Sequence, residues 1–193
     1  MKAASDNAGN VINELQLDDK QYKPNVVYNR ISSAKNALIG PAEYINDWAL
    51  QQEDSRANRP AQGQIYDAYV KRCFKNGAMD FDDLLFNTNL LFRDHLDVLN
   101  KYQHKFRHVM VDEFQDTNLA QWELVNLISA KHQNISVVGD ADQSIYKFRG
   151  ADHLNMKRFE ETYPEAKVVI LNTNYRSTEN ILSAANAVIS NNV

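Results

Sequence analysis

Two adjacent carboxylates that follow a short apolar run are the residues of this chain best placed for chemistry. The run is Val109, Met110 and Val111, and Asp112 and Glu113 come directly after it. A run of this length is too short for a lone helix and suits a strand that is buried on both faces. Because ligands gather outside the carboxyl ends of the strands in an open parallel sheet, the pair is positioned for catalysis. A solvated acidic turn is the alternative interpretation.

Two later apolar runs end in polar clusters of the same kind. The run at 135–139 is followed by Asp140, Asp142 and Gln143, and the run at 167–171 by Asn172, Asn174, Tyr175 and Arg176. Helical spacing at 118–131 and 153–161 separates the strands predicted at 107–112, 135–139 and 167–171. Alternating strands and helices imply parallel pairing through right-handed crossovers, so we expect the three clusters at one edge.

This set of side chains suits the hydrolysis of a phosphoanhydride. One carboxylate can hold Mg²⁺, largely through water, and a second can orient and deprotonate the attacking water. A glutamine can position the water or the γ-phosphate, and an arginine can neutralise the charge that develops on the transferred group. The ring of Tyr175 can stack on a planar base.

The segment SIYKFRGAD at 144–152 mixes aromatic and cationic side chains, namely Tyr146, Lys147, Phe148 and Arg149. Single-stranded nucleic acid requires this combination, because bases stack on aromatic faces and phosphates need positive charge. A packed turn is the alternative interpretation.

Residues 1–104 show helical periodicity. Pro24 and Pro41 suit first helical turns, Asp80 suits an N-cap, and 52–63 has the polar composition of a loop. Three successive helices have predicted buried faces at Tyr44, Ile45 and Trp48; at Ile65, Tyr66, Tyr69, Val70 and Phe74; and at Phe81, Leu84, Leu85 and Leu91. Ser177 or Thr178 should cap a last helix, whose predicted buried face is Ile181, Leu182, Ala185 and Ile189.

The composition narrows the class of protein. The 193 residues carry a formal net charge of −4, and neither half of the chain is a basic arm. Any contact with nucleic acid must therefore use a local patch. Cys73 is the only cysteine, which excludes an internal disulfide. No apolar run is long enough to cross a membrane and no signal segment opens the chain, so we expect a cytoplasmic protein.

Three segments together resemble a known family. VDEFQDTN (111–118), VVGDADQSIYKFRGAD (137–152) and LNTNYRST (171–178) are similar to motifs II, III and IV of the superfamily 1 DNA helicases of the UvrD, PcrA and Rep type, and DFDDLL (80–85) lies upstream as in that family. The resemblance implies an α/β fold. Residues 1–104 would form a helical subdomain like the accessory subdomain 1B, and residues 105–193 a partial RecA-like P-loop NTPase parallel sheet with flanking helices.

The resemblance also implies a motor that uses ATP and Mg²⁺ to move 3′ to 5′ on single-stranded DNA and to separate duplex DNA. By motif position, Asp112 would bind Mg²⁺, Glu113 would activate water, and Gln143 would couple the γ-phosphate to the DNA. Tyr175 would stack on adenine, and Arg176 would contact the γ-phosphate. The residues that would contact DNA are Tyr146, Phe148 and Arg149. The family commonly has Trp at the position of Phe148. Asp116 would orient its neighbours, and Asp140 and Asp142 are either functional or structural.

One departure from the family is large. No G-x-x-x-x-G-K-[ST] sequence occurs, since none of the six glycines precedes a lysine. We therefore expect an internal fragment of a longer helicase that is inactive by itself and that self-associates through exposed sheet edges. The alternatives are a non-catalytic module of helicase fold that binds DNA or a partner, and part of a helicase–nuclease subunit.

Overall fold

The N-terminal half of the computed structural model, which describes residues 2–143 and 154–190, is helical. Its helices are α1 (Lys2–Glu14), α2 (Pro24–Asn36), α3 (Pro41–Asn46), α4 (Trp48–Arg56), α5 (Gln62–Lys75), α6 (Phe81–Asp94) and α7 (Leu96–Lys105). The predicted helix starts at Pro24 and Pro41 and the cap at Asp80 are confirmed. The predicted loop at 52–63 is confined to 57–61, because α4 continues to Arg56 and α5 begins at Gln62. The Asp47 carboxylate caps α4 by accepting the N–H groups of Ala49 and Leu50.

An apolar core holds α1, α2, α3 and α5 together. Its buried aromatic members include Tyr44, Tyr66 and Tyr69, as predicted. Trp48 and Phe74 were predicted to be buried and are instead 73% and 88% exposed. Phe74 lies one residue beyond Cys73 on α5, and that step rotates it off the buried face. Ile45 is exposed as well.

Helix α6 turns a partly polar face inward, contrary to the prediction. The residues that it buries are Asp83, Phe86, Asn89 and Phe92. The predicted face is wrong for Phe81, Leu84 and Leu91, which are exposed, and Leu85 is half-buried. The cause is polar pairing: Asp83 meets the buried Lys35 ammonium, and Asn89 donates a 2.9 Å hydrogen bond to the carbonyl of Ala120 in the next part of the chain.

The C-terminal half contains a small parallel sheet. Strands β1 (Val109–Val111) and β2 (Ile135–Val137) pair in parallel with Val109 opposite Ile135, and α8 (Leu119–Ser129) connects them. Short 3₁₀ turns follow each strand at Phe114–Asp116 and Ala141–Gln143, and α9 (Leu154–Thr162) and α10 (Glu179–Ile189) complete the described elements. The parallel pairing confirms the α/β prediction, although the chain is mainly helical.

The third predicted strand is wrong. Residues 167–171 form no strand in the described structure, and the side chains from Val168 to Leu171 are exposed. An apolar run becomes a strand only where a neighbouring backbone pairs with its N–H and C=O groups, and the described sheet contains β1 and β2 alone. The buried face predicted for α10 is also wrong: Ile181 and Ala185 are exposed, and Leu182 and Ile189 are only half-buried.

Helices α6 and α7 pack on α8 and so join the helical half to the sheet. The side chain of Gln103 on α7 donates a 2.7 Å hydrogen bond to the carbonyl of Leu127 on α8. Within the described ranges, no helix combines the length and the apolarity needed to cross a bilayer.

Candidate functional site

The turn after β1 presents the two carboxylates to solvent. Asp112 and Glu113 are both exposed, whereas the next residue, Phe114, is fully buried against Trp122 and Phe159. Glu113 adopts a left-handed backbone with φ of 50°, which is uncommon for a residue with a side chain. One oxygen of Asp112 accepts the N–H of Glu113 at 2.9 Å, which stabilises this turn.

Backbone hydrogen bonds extend the sheet into the two turns that follow it. The N–H of Val138 donates to the carbonyl of Val111 at 2.8 Å, and the N–H of Phe114 donates to the carbonyl of Val138 at 2.9 Å. The turn after β1 is therefore fixed to the end of β2. The predicted meeting of the first two polar clusters at one edge is confirmed.

The turn after β2 is organised by Asp140. Its carboxylate accepts the N–H of Asp142 at 3.0 Å and the side-chain amide of Gln143 at 2.8 Å. These contacts give Asp140 a structural part in the turn, while Asp142 and Gln143 remain exposed. Gly139 precedes this turn, and a Cβ at that position would lie 2.8 Å from the side-chain oxygen of Gln115.

A buried glutamine links the two turns, and sequence reasoning gave it no role. Gln115 is 2% exposed. Its amide nitrogen donates to Glu113 Oε2 at 2.7 Å, and its amide oxygen accepts the N–H of Asp140 at 3.1 Å. The only signal in the sequence was its place within the polar run after β1.

Two further residues, Asn118 and Asn155, fix the end of the first turn, and the first of them is a residue type that the sequence already favours as a helix cap. Asn118 caps α8 by accepting the N–H of Gln121 at 2.9 Å, and its amide donates to Asn36 on α2 at 2.7 Å. Asn155, which is fully buried on α9, donates to the carbonyl of Thr117 at 2.8 Å. One oxygen of Asp116 is buried without a hydrogen-bond partner among the described residues.

The third polar cluster does not join the first two. Tyr175 is 95% exposed, and the side chain of Asn174 accepts the N–H groups of Arg176 and Ser177 in a local turn. In the described residues no hydrogen bond or ion pair connects Tyr175 or Arg176 to the turns after β1 and β2. The predicted DNA-contacting residues Tyr146, Phe148 and Arg149 lie outside the described residues.

The exposed carboxylate of Asp112 fits a Mg²⁺ ion that is shared with a phosphate. The described residues contain no group of three or more His, Cys, Asp or Glu side chains that could form a complete metal cage. Mg²⁺ is usually bound by one or two carboxylates together with water and substrate phosphates. Asp112 can therefore supply one ligand, and phosphate oxygens and water would supply the others.

Comparison with known proteins identifies the family. Residues 3–164 match the model of the UvrD/REP helicase N-terminal domain. The chain belongs to the UvrD/REP helicase family. A relative from Leuconostoc citreum named ATP-dependent DNA helicase PcrA is 46% identical over 184 residues, which are 94% of this chain and 24% of the relative. The protein of the same name from Staphylococcus aureus is 44% identical over 182 residues, again 94% of this chain and 24% of the relative.

Membership of the UvrD/REP family confirms the resemblance that the three sequence segments indicated. The match to the family model includes the turns after β1 and β2 and the whole helical half. The chain spans about a quarter of the length of the curated relatives that it matches.

Proposed function

We propose that these residues are part of an ATP-dependent DNA helicase that translocates 3′ to 5′ on single-stranded DNA and unwinds duplex DNA. The observation that carries the proposal is the geometry of the first two turns. Asp112 and Glu113 project at the carboxyl ends of paired parallel strands, where phosphate ligands bind in open α/β sheets. Gln143 belongs to the turn that is hydrogen-bonded to theirs.

Three exposed polar groups of these turns each suit one part of phosphoanhydride hydrolysis. Asp112 would hold Mg²⁺, which neutralises phosphate charge when it is bound. Glu113 would take the proton of the attacking water. Gln143 would sense the γ-phosphate and transmit its presence to the DNA site.

The other assigned residues complete the nucleotide and DNA contacts in the proposal. Tyr175 would stack on adenine and Arg176 would contact the γ-phosphate; both are exposed and accessible to a nucleotide. Tyr146, Phe148 and Arg149 would contact the DNA strand by stacking and charge. Residues 1–104 would act as the helical accessory subdomain and 105–193 as part of the motor.

The chain by itself should not hydrolyse ATP at a useful rate. The β- and γ-phosphates need a nest of backbone N–H groups and a lysine, and no phosphate-loop sequence occurs in these residues. The relatives named above are about four times as long as this chain, and the remainder of such a protein would supply those donors.

The test joins this chain to the rest of a relative. In a chimera, residues 3–164 replace the matching segment of the Staphylococcus aureus PcrA, and DNA-stimulated ATP hydrolysis is measured with and without Glu113→Gln. Loss of a general base lowers the rate by about 10²–10⁴-fold. We expect a loss of this size with nucleotide binding retained. Glu160→Gln, the same change at an exposed position on α9, is the control.

The outcome separates the proposal from its rival. A chimera that hydrolyses ATP equally well with Glu113→Gln would contradict the assigned role. Robust hydrolysis by the 193-residue chain alone would contradict the expectation of inactivity. If the chain alone binds single-stranded DNA tightly and the chimera is inactive, a non-catalytic DNA-binding module is favoured. The observation in favour of this second candidate is that, among the described residues, Tyr175 and Arg176 form no hydrogen bond or ion pair with the first two turns.

A further inference from the structure

The buried Gln115 side chain makes one hydrogen bond to each of the two turns that form the candidate site. Its Nε2 donates to the Glu113 carboxylate at 2.7 Å and its Oε1 accepts the Asp140 N–H at 3.1 Å. The orientation of the amide is fixed by these partners: a flipped amide would place two donors against each other at Asp140 and two acceptors against each other at Glu113.

The surroundings hold this amide in place. Its neighbour Phe114 is fully buried and contacts the rings of Trp122 and Phe159 at centroid distances of 5.6 and 5.9 Å. On the other side, the backbone of Gly139 approaches closely. A Cβ at that position would lie 2.8 Å from the side-chain Oε1 of Gln115 and 3.4 Å from the backbone N of Gln115. Glycine at 139 is therefore what allows the two turns to meet through a side chain.

The hydrogen bonds continue from Gln115 to the end of the second turn. The backbone N–H of Asp140 donates to Gln115 Oε1, and the Asp140 carboxylate accepts the side-chain amide of Gln143 at 2.8 Å. A four-residue chain of hydrogen bonds thus runs from Glu113 through Gln115 and Asp140 to Gln143. The Asp140 backbone and the Gln143 side chain therefore belong to the same hydrogen-bonded network as Gln115.

We propose that Gln115 is a positioning residue that aims the Glu113 carboxylate and couples its orientation to Gln143. The inference rests on the proposed function, in which Glu113 activates water and Gln143 senses the γ-phosphate. The exposed Glu113 side chain has several rotamers open to it, and the amide selects one of them. When Gln143 engages phosphate, the change reaches Glu113 through a single buried amide.

Two substitutions separate the two contacts. Gln115→Met keeps the volume and removes both hydrogen bonds. Gln115→Glu keeps an acceptor for the Asp140 N–H but sets a carboxylate against that of Glu113. Gln64→Met, an exposed position on α5, is the matched control for the first change.

The first experiment uses the 193-residue chain and needs no catalytic activity. Amide hydrogen exchange and side-chain NH₂ resonances are measured by NMR, with thermal unfolding to confirm that each variant is folded. We expect Gln115→Met to accelerate exchange at the Asp140 amide and to shift the Gln143 side-chain resonances, whereas Gln115→Glu retains protection of the Asp140 amide. Unchanged Gln143 resonances in a folded Gln115→Met variant would overturn the coupling.

The second experiment uses the chimera. We expect both variants to lower kcat for ATP hydrolysis by about 10-fold or more, less than the loss of a general base causes, with KM for ATP changed by less than about 3-fold. A merely structural defect would lower both stability and nucleotide binding. If Glu113→Gln abolishes turnover and the Gln115 variants turn over normally, the positioning role is wrong and the proposed function stands. If wild-type chimera is inactive, the proposed function fails, and the NMR result alone decides whether Gln115 couples the turns.

Discussion

The buried ammonium of Lys35 offers the sharpest stability prediction. Its Nζ lies 2.7 Å from Asp80 and 2.8 Å from Asp83, and the three side chains are 1%, 6% and 10% exposed. The Tyr69 hydroxyl donates a hydrogen bond to Asp80, and the centroid of the Tyr69 ring lies 5.0 Å from Lys35 Nζ. The perturbation is Lys35→Met, which keeps most of the length of the apolar stem and removes the charge.

The magnitude follows from what the substitution leaves behind. Asp80 and Asp83 would remain as two buried carboxylates without a cation, and breaking a buried ion pair costs about 3–5 kcal/mol. With a urea m-value of about 2 kcal/mol/M, the unfolding midpoint falls by roughly 1.5–2.5 M. Because domains of this size are stable by only about 5–15 kcal/mol, this loss removes a substantial part of the free energy of unfolding.

Urea unfolding followed by circular dichroism is the assay. Lys71→Met is the control, because its ion pair with Asp67 is exposed on one helix and such pairs contribute about 0.3–0.5 kcal/mol. Neutralising both carboxylates in a Lys35→Met/Asp80→Asn/Asp83→Asn variant should recover most of the lost stability, since no unpaired charge remains. A Lys35→Met loss below about 1 kcal/mol would refute the reasoning, because a buried charge cluster must lose more than that.

Two further predictions concern the pH dependence of the protein's stability and its self-association. Burial opposes ionisation of Asp80, but Lys35, the N–H of Asp83 and the Tyr69 hydroxyl outweigh it and lower the pKa of Asp80. The unfolded chain then binds more protons, so stability should fall as pH drops below about 4, and Asp80→Asn should weaken this dependence of the urea midpoint. Light scattering across a concentration series should show self-association through the exposed run at 168–171, reduced by Ile170→Asp; a monomer at every concentration would contradict it.

The sequence was sufficient to predict the elements for which the hydrophobic pattern and the local capping residues indicate the same secondary structure. Pro24, Pro41 and Asp80 begin helices as expected, and the apolar runs at β1 and β2 form parallel strands. Asp112 and Glu113 lie at the carboxyl end of a strand because strand and turn were both encoded locally. The family itself could be identified from three short segments.

Elements that depend on distant partners were not predictable in the same way. The inward face of α6 is set by Lys35, which is 45 residues or more away. The hydrophobic periodicity within α6 does not reveal a partner so distant in the sequence. The run at 167–171 reads as a strand by composition, but the described sheet offers it no partner. Gln115 resembles any polar turn residue until the approach of Gly139 and Asp140 is known.

The hydrogen bond between Asn118 and Asn36 bears on the order of events during synthesis. The two residues are 82 positions apart, and the bond fixes the helix cap that follows the turn of Asp112 and Glu113. Chains emerge from the ribosome N-terminus first, so α2 is complete well before Asn118 appears. The helical half can therefore serve as a template on which the turn of Asp112 and Glu113 closes once residue 118 has been added.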